Sequence, residues 1–274
     1  MKVEHNFSPS PACTENPSQG DAHEIRKIAI YGKGGIGKST TTSNIACAMT
    51  KQGLRVMQIG CDPKSDSTIS HTGGQRIPTV LDSIRDRGDS LKLTDIVITG
   101  SDGVLCVESG GPTPGVGCAG RGIIAAFEKL DELHAFETFR PDVVLYDVLG
   151  DVVCGGFTMP IRSGYAKEVF VVTSGEMMSL YAASNIAAAL HNFQNKGYAR
   201  FGGLIANAKG FPGEEENIQR AAEELNTRVL CTLPRDPLVQ QAEQQNRTVV
   251  SAFPDSELSG LYLNLAQILE RDPL

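Results

Sequence analysis

A lysine and a serine close a glycine run in this chain: Gly32-Lys33-Gly34-Gly35-Ile36-Gly37-Lys38-Ser39 fits the pattern G-x-x-x-x-G-K-[ST]. Glycines let backbone N–H groups wrap a phosphate closely, and a helix starting at the loop adds the positive end of its dipole. Lys38 then neutralises β- and γ-phosphate charge, Ser39 offers its hydroxyl to magnesium, and Thr40 carries the loop into the helix. The chemistry is the binding and hydrolysis of a magnesium nucleotide. A chance glycine turn is the bland alternative, and the flanks argue against it. Lys27 to Tyr31 is short, apolar and β-branched like a buried strand, and Ser39 to Gln52 reads as a helix.

Carboxylates follow at strand ends. Arg55 to Gly60 reads as a second strand, and Asp62 and Asp66 lie just beyond it. In an open parallel sheet ligands bind at that edge, so both could approach magnesium, a water ligand or the attacking water. Their plainer reading is a surface turn with capping aspartates. Val143 to Tyr146 is a core strand ending in Asp147, the pattern of a carboxylate that meets the magnesium site directly or through water. Asn207 ends a further strand, Leu204 to Asn207, where it serves either a nucleotide base edge or a turn.

The chain has seven cysteines, an odd and scattered set. Cys47 lies inside a helix, Cys106 and Cys231 inside strands, and Cys61 at a strand end, so all four read as small core residues. Cys13 falls in the polar N-terminal stretch and reads as a solvated thiol. Cys118 and Cys154 differ, because each sits in a glycine-rich loop after a strand. Neighbouring glycines permit N–H···S bonds, which tune an iron–sulfur cluster. A [4Fe–4S] cluster takes four thiolates, and a two-fold dimer doubles the two present here. A zinc site or two inert thiols are the alternatives. Cys154 follows Asp147 by seven positions, so whatever moves Gly150 or Asp151 also moves Cys154.

These residues need a scaffold that aligns strand ends. Strands alternate with helices along the chain: Val104 to Val107, Val169 to Thr173 and Val229 to Cys231 are further strands. Thr79 to Arg87, Ile123 to His134, Ser179 to Asn195, Glu214 to Leu225, Leu238 to Gln245 and Ser256 to Arg271 are further helices. That alternation predicts the α/β class, a mostly parallel sheet with helices on both faces, as one P-loop NTPase domain over 25–274. Residues 1–24 are rich in Pro, Ser and Asn without periodicity and predict a disordered extension. The loop from Glu108 to Gly122 is long for a compact domain and therefore reads as functional.

Composition narrows the partners. The chain has 274 residues, a net charge of −7 and no long basic block. This speaks against nucleic-acid binding, which needs basic surface. No apolar run approaches the roughly 20 residues that span a bilayer, and no signal pattern opens the chain. The expectation is a cytoplasmic protein with neither nucleic acid nor membrane as partner.

Four of these segments together resemble the nitrogenase iron proteins and their nitrogenase-like relatives. Tyr31 to Thr42, Gly60 to Thr68, Val107 to Gly122 and Asp147 to Phe157 are similar to that family's nucleotide, first-switch, cluster and second-switch motifs. The resemblance implies a role for Lys33 in reaching the partner subunit's nucleotide, and for Lys38 and Ser39 at phosphate and magnesium. Asp62 and Asp66 match first-switch carboxylates linked to magnesium and hydrolysis. Asp147, Gly150 and Asp151 match the second switch, and Cys118 and Cys154 the cluster ligands. Arg121 matches the surface arginine beside the cluster, a site of ADP-ribosylation in some members. Asn207, Pro234 and Asp236 fall where the family binds adenine.

The activity implied is that of a homodimer with one bridging [4Fe–4S] cluster. It is charged by a ferredoxin or flavodoxin, binds MgATP, docks on a heterotetramer-type catalytic component and passes single electrons. An N-terminal extension is absent from typical members, and those members continue past the position of Leu274 in a tail. The first-switch region looks like the nitrogenase-like branches, which include chlorophyll-precursor, nickel-tetrapyrrole and methylthio-alkane reductases. The cluster loop looks like nitrogenase itself or methylthio-alkane reductase. Two other classes compete: a partitioning or positioning ATPase without redox chemistry, and a cluster-delivery scaffold. The former lacks both cysteine loops, and the latter carries its cysteines near the C-terminus, where this chain has none after Cys231.

Overall fold

The computed structural model describes residues 24–111, 119–148, 164–194 and 199–271. The first strand, β1 (Arg26–Tyr31), runs into the glycine loop and helix α1 (Lys38–Lys51). Strand β2 (Val56–Cys61) and helix α2 (Val80–Arg87) follow, then a short helix α3 (Leu93–Ile96), β3 (Ile98–Thr99) and β4 (Leu105–Glu108). Helices α4 (Ala119–Glu132) and α5 (Ala135–Phe139) precede β5 (Val143–Val148). The second half contains β6 (Glu168–Thr173), α6 (Met177–Gln194), β7 (Arg200–Asn207), α7 (Glu214–Glu224) and β8 (Val229–Leu233). Helices α8 (Pro237–Gln244), α9 (Val249–Ala252) and α10 (Glu257–Arg271) complete the described chain.

The strands form one sheet in the order β3-β4-β2-β5-β1-β6-β7-β8. Every neighbouring pair is parallel except β3 with β4. Strand alternation sorts the apolar side chains into two layers. Ile28 and Ile30 of β1 face Ile45 and Met49 of α1 and Leu265 of α10. Ala29 and Tyr31 face the other way, toward Phe127 of α4 and Ile186 of α6. Both faces are therefore covered by helices, which is why β1, β5 and β6 read as near-continuous apolar runs.

The parallel strands all end at one edge. The glycine loop, Asp62, Glu108, Asp147, Asn207 and Pro234 are gathered there by strand polarity alone. Three features differ from the sequence reading. The antiparallel edge strand β3 has only two residues, too short for a period to register. The helices α3, α5 and α9, of four or five residues each, were likewise below that threshold. Helix α4 begins at Ala119 and not at Ile123, so Ala119 to Gly122 lie in its first turn despite two glycines. Among the described residues no helix is long and apolar enough to cross a membrane.

One polar anchor fixes the β6–β7 half. The buried Glu214 carboxylate, at the first position of α7, accepts backbone N–H bonds from Gly175 at 3.0 Å, Lys209 at 2.8 Å and Gly210 at 2.7 Å. Burial opposes its ionisation, but the N–H groups of Lys209, Gly175 and Gly210 hold the carboxyl below its ordinary range. This contribution is complete above the usual carboxylate pKa and is lost as the pH falls through the lowered one. Glu214→Ala is expected to destabilise the fold by about 1–3 kcal/mol at neutral pH, since it leaves several donors unpaired. Denaturant unfolding checks this, and the deficit should shrink in acid.

Candidate functional site

The glycine loop turns on its own backbone. Ile36 N–H donates to the Lys33 carbonyl at 3.2 Å, and the Lys38 ammonium donates to the same carbonyl at 3.1 Å. Gly37 stands at φ 97°, left-handed, at the N-cap of α1, and no side chain caps the helix there. Its first N–H groups thus remain for an anion. Only glycine fits position 37 for a second reason: a Cβ would lie 2.5 Å from the Asn207 amide nitrogen. That nitrogen donates to the Ile36 carbonyl at 2.7 Å, so Asn207 braces the loop from β7. Here its donor is committed to the loop.

Beside the loop lies a cavity of about 680 Å³. Gly34, Gly35, Gly37, Lys38, Ser39 and Thr40 form one wall, and Asp62 and Asp66 another. Asn246, Arg247 and Thr248 also line it; they follow α8 outside any motif, so sequence reasoning missed them. Gly32 and Ile36 are buried beneath the loop, while Lys33 is exposed. Pro234 and Asp236 do not line this cavity; Asp236 caps α8, accepting the Leu238 N–H at 2.8 Å. Arg121 is exposed on the first turn of α4. Gly150, Asp151, Cys118 and Cys154 lie outside the described residues.

Behind Ser67, which lines the cavity, stands a buried carboxylate. Asp147 Oδ2 accepts the Ser67 hydroxyl at 2.6 Å, whereas Oδ1 is buried without a partner among the described residues. Burial raises the Asp147 carboxyl, and the Ser39 and Ser67 hydroxyls with the Lys38 ammonium act against it. A bare carboxylate oxygen next to Ser39 and Lys38, under an uncapped helix N-terminus, fits a magnesium-bound polyphosphate. Asp62 shapes the neighbouring turn, with its Oδ1 accepting the Lys64 N–H at 2.9 Å.

A second buried carboxylate was hidden in the sequence as the first residue of a loop. Glu108, at the end of β4, accepts both the N–H and the hydroxyl of Thr68 at 2.8 Å. Its other oxygen has no partner among the described residues and packs on Gly60, where a side chain would collide with it. Strand β2 lies between β4 and β5, so Ser67 and Thr68 fasten the segment after β2 to the ends of both neighbours.

The family model described as "4Fe-4S iron sulfur cluster binding proteins, NifH/frxC family" matches residues 26–274. The chain belongs to this family. Its relatives include the nitrogenase iron protein of Methanospirillum hungatei JF-1, 55% identical over 246 residues that cover 89% of this chain and 87% of the relative. Nitrogenase iron protein 2 of Paenibacillus durus is 50% identical over 246 residues, covering 90% and 84%. Among solved structures, the cell division ATPase MinD of Pyrococcus furiosus superposes with a TM-score of 0.69 at 20% identity, covering 90% of this chain and 99% of that one. A ParA family ATPase from Chlorobium tepidum TLS gives 0.68 at 19%, covering 89% and 98%. At such identities the likeness is one of fold, and it agrees with the single P-loop α/β domain described above.

Burial pushes the Glu108 carboxyl up to about 7, against the two Thr68 bonds. A carboxyl raised on folding binds its proton first in the folded chain. Stability therefore falls as the pH climbs from the ordinary carboxylate range to about 7 and is level beyond. Glu108→Gln keeps an acceptor for Thr68 and removes the titration. Relative to the parent, the variant should gain stability between pH 5 and 8, about the span of that titration. Unfolding curves across that range check it, and a difference that is flat or declines with pH contradicts it.

Proposed function

We propose that this chain is the ATP-dependent reductase component of a nitrogenase or nitrogenase-like enzyme. It works as a homodimer that shares one [4Fe–4S] cluster and passes single electrons to a heterotetramer-type catalytic partner as MgATP is hydrolysed. The family membership and the likeness to nitrogenase iron proteins over about 90% of the chain support this reading. The observation that carries it furthest is mechanical: the first-switch segment Asp62 to Thr68 is bonded to the ends of β4 and β5. Those are the two strands whose continuations contain Cys118 and Cys154.

In this reading the N–H groups of Gly34 to Ser39 and the Lys38 ammonium hold the phosphates. Ser39 and Asp147 serve the magnesium ion, which neutralises phosphate charge when bound. Lys33, exposed on the loop, reaches toward the partner subunit's nucleotide. Asp62, Asp66 and Asp151 sense and assist hydrolysis, with Gly150 as the second-switch amide. Pro234, Asp236 and Asn207 flank the base. Cys118 and Cys154 of each subunit supply the four thiolates that a cluster of this type takes. The cluster supplies one-electron redox chemistry, and the chain's own contribution is to position the two loops. Ser67 transmits a change at Asp147 to the first switch, and Thr68 transmits it to Glu108. Arg121 on α4 stands on the docking face, and a ferredoxin or flavodoxin is the donor.

Protein purified without oxygen should be brown, contain about four irons per two chains, and bind MgATP. Cys118→Ser and Cys154→Ser should each be colourless while still binding nucleotide. Lys38→Ala should keep the iron and lose nucleotide binding. An iron-free parent that binds MgATP normally would remove the electron-carrier reading and leave a nucleotide switch.

A further inference from the structure

Behind Asp147 a chain of buried polar groups runs away from the cavity. Ser67 Oγ donates to Asp147 at 2.6 Å. Gln58 Nε2 lies 3.0 Å from Ser67 Oγ and 2.9 Å from the Ser67 carbonyl oxygen. Gln58 Oε1 lies 3.1 Å from His71 Nε2, and His71 Nδ1 lies 3.3 Å from Asp102 Oδ2. Gln58 and His71 have no exposed surface at all, and Ser67 retains 2%. The strand β2 supplies Gln58 on the face that packs against α1, where the next alternate positions, Val56 and Gly60, carry no polar side chain.

The directions of these bonds can be fixed. A carbonyl oxygen only accepts, so the Ser67 carbonyl requires the NH₂ of Gln58 to face it. That leaves Gln58 Oε1, also an acceptor, facing His71 Nε2, which must carry hydrogen. The two amide hydrogens of Gln58 are shared among the Ser67 carbonyl, Ser67 Oγ and Ser43 Oγ at 3.1 Å, and Ser67 Oγ gives its own proton to Asp147. At the far end, burial opposes ionisation of Asp102, yet hydrogen bonds from His71 and Ser251 hold its carboxyl below the ordinary range. A carboxylate there accepts from Nδ1, which must also carry hydrogen. A chain that ends in an acceptor at both sides needs one member that donates in both directions, and only the imidazole can.

We propose that His71, with a proton on each ring nitrogen, is a positioning residue for the magnesium–nucleotide site. Through Gln58 and Ser67 it keeps Asp147 Oδ2 bonded and leaves Oδ1 without a partner among the described residues. The inference rests on the nucleotide reading given above. Partners one bond removed from a metal-linked carboxylate orient it, and their loss typically costs at least about tenfold in metal affinity. A core histidine that is merely well packed would leave the magnesium dependence of nucleotide binding unchanged.

The test titrates ADP into the full-length protein, purified without oxygen, once with magnesium and once with EDTA. The parent should bind ADP more tightly with magnesium. His71→Leu should lose about tenfold of that magnesium-dependent gain and keep its affinity in EDTA. Gln58→Met, of similar volume, should do the same, and serves if His71→Leu does not fold. Asp102→Asn removes the anion but offers Nδ1 an N–H donor, so a neutral His71 keeps its bond to Gln58. This variant should bind MgADP like the parent. Nitrogen-15 NMR of histidine-labelled protein should then show two ring protons on His71 in the parent and one in Asp102→Asn. A single ring proton in the parent, or folded His71→Leu and Gln58→Met with unchanged magnesium dependence, overturns the proposal. A parent that binds ADP under neither condition overturns the nucleotide reading instead, and the positioning role with it.

Discussion

One carboxylate with one bonded oxygen and one bare oxygen governs the nucleotide end of this molecule. Asp147 stands at the C-terminal end of a central strand, in surroundings that disfavour its charge. An ionised group in such a place persists only with partners. The hydroxyls of Ser39 and Ser67 and the Lys38 ammonium are those partners within the chain. The neighbouring arrangement follows from that need. Ser67 must reach inward, so the turn from Asp62 to Thr68 folds down between β4 and β5. Thr68 is then brought onto Glu108, which is buried in its turn.

The fold was legible because its pieces are long and periodic. Buried parallel strands show as apolar runs, and β1, β2, β5 and β6 all do. The site was legible where chemistry requires a fixed spacing, as in Gly32 to Ser39, or a carboxylate at a strand end, as at Asp62 and Asp147. What stayed hidden depends on contacts between distant residues. Glu108 looked like the polar first residue of a loop, because its partner Thr68 lies 40 positions earlier. Gln58 lies within the apolar strand Arg55 to Gly60, and His71 comes 13 positions later outside any motif. Neither type nor spacing marks such a network, since hydrogen-bond partners across a sheet obey no sequence period.

The scaffold itself is shared with proteins of other names. MinD and ParA structures superpose over nearly their full length at about one-fifth identity. At that identity the likeness is one of fold. The family assignment comes from sequence along the whole domain. Architecture and chemistry are thus separable here: the strand order fixes where a switch can act, and short loops at the strand ends fix what it acts upon.

The Glu214 anchor has a consequence for how the molecule opens. It ties the segments after β6 and β7 to α7 through a carboxyl held below its ordinary range, whereas the far side of the sheet is held at its ligand edge by Asp147 and Glu108, carboxyls that burial raises. Bonds to an ionised carboxylate are the stronger kind, so local fluctuations are unequally shared. Amide protons at Gly175, Lys209 and Gly210 should outlast those of the Asp62 to Thr68 turn in heavy water. One flank of the sheet is thereby pinned at its ligand edge more firmly than the other.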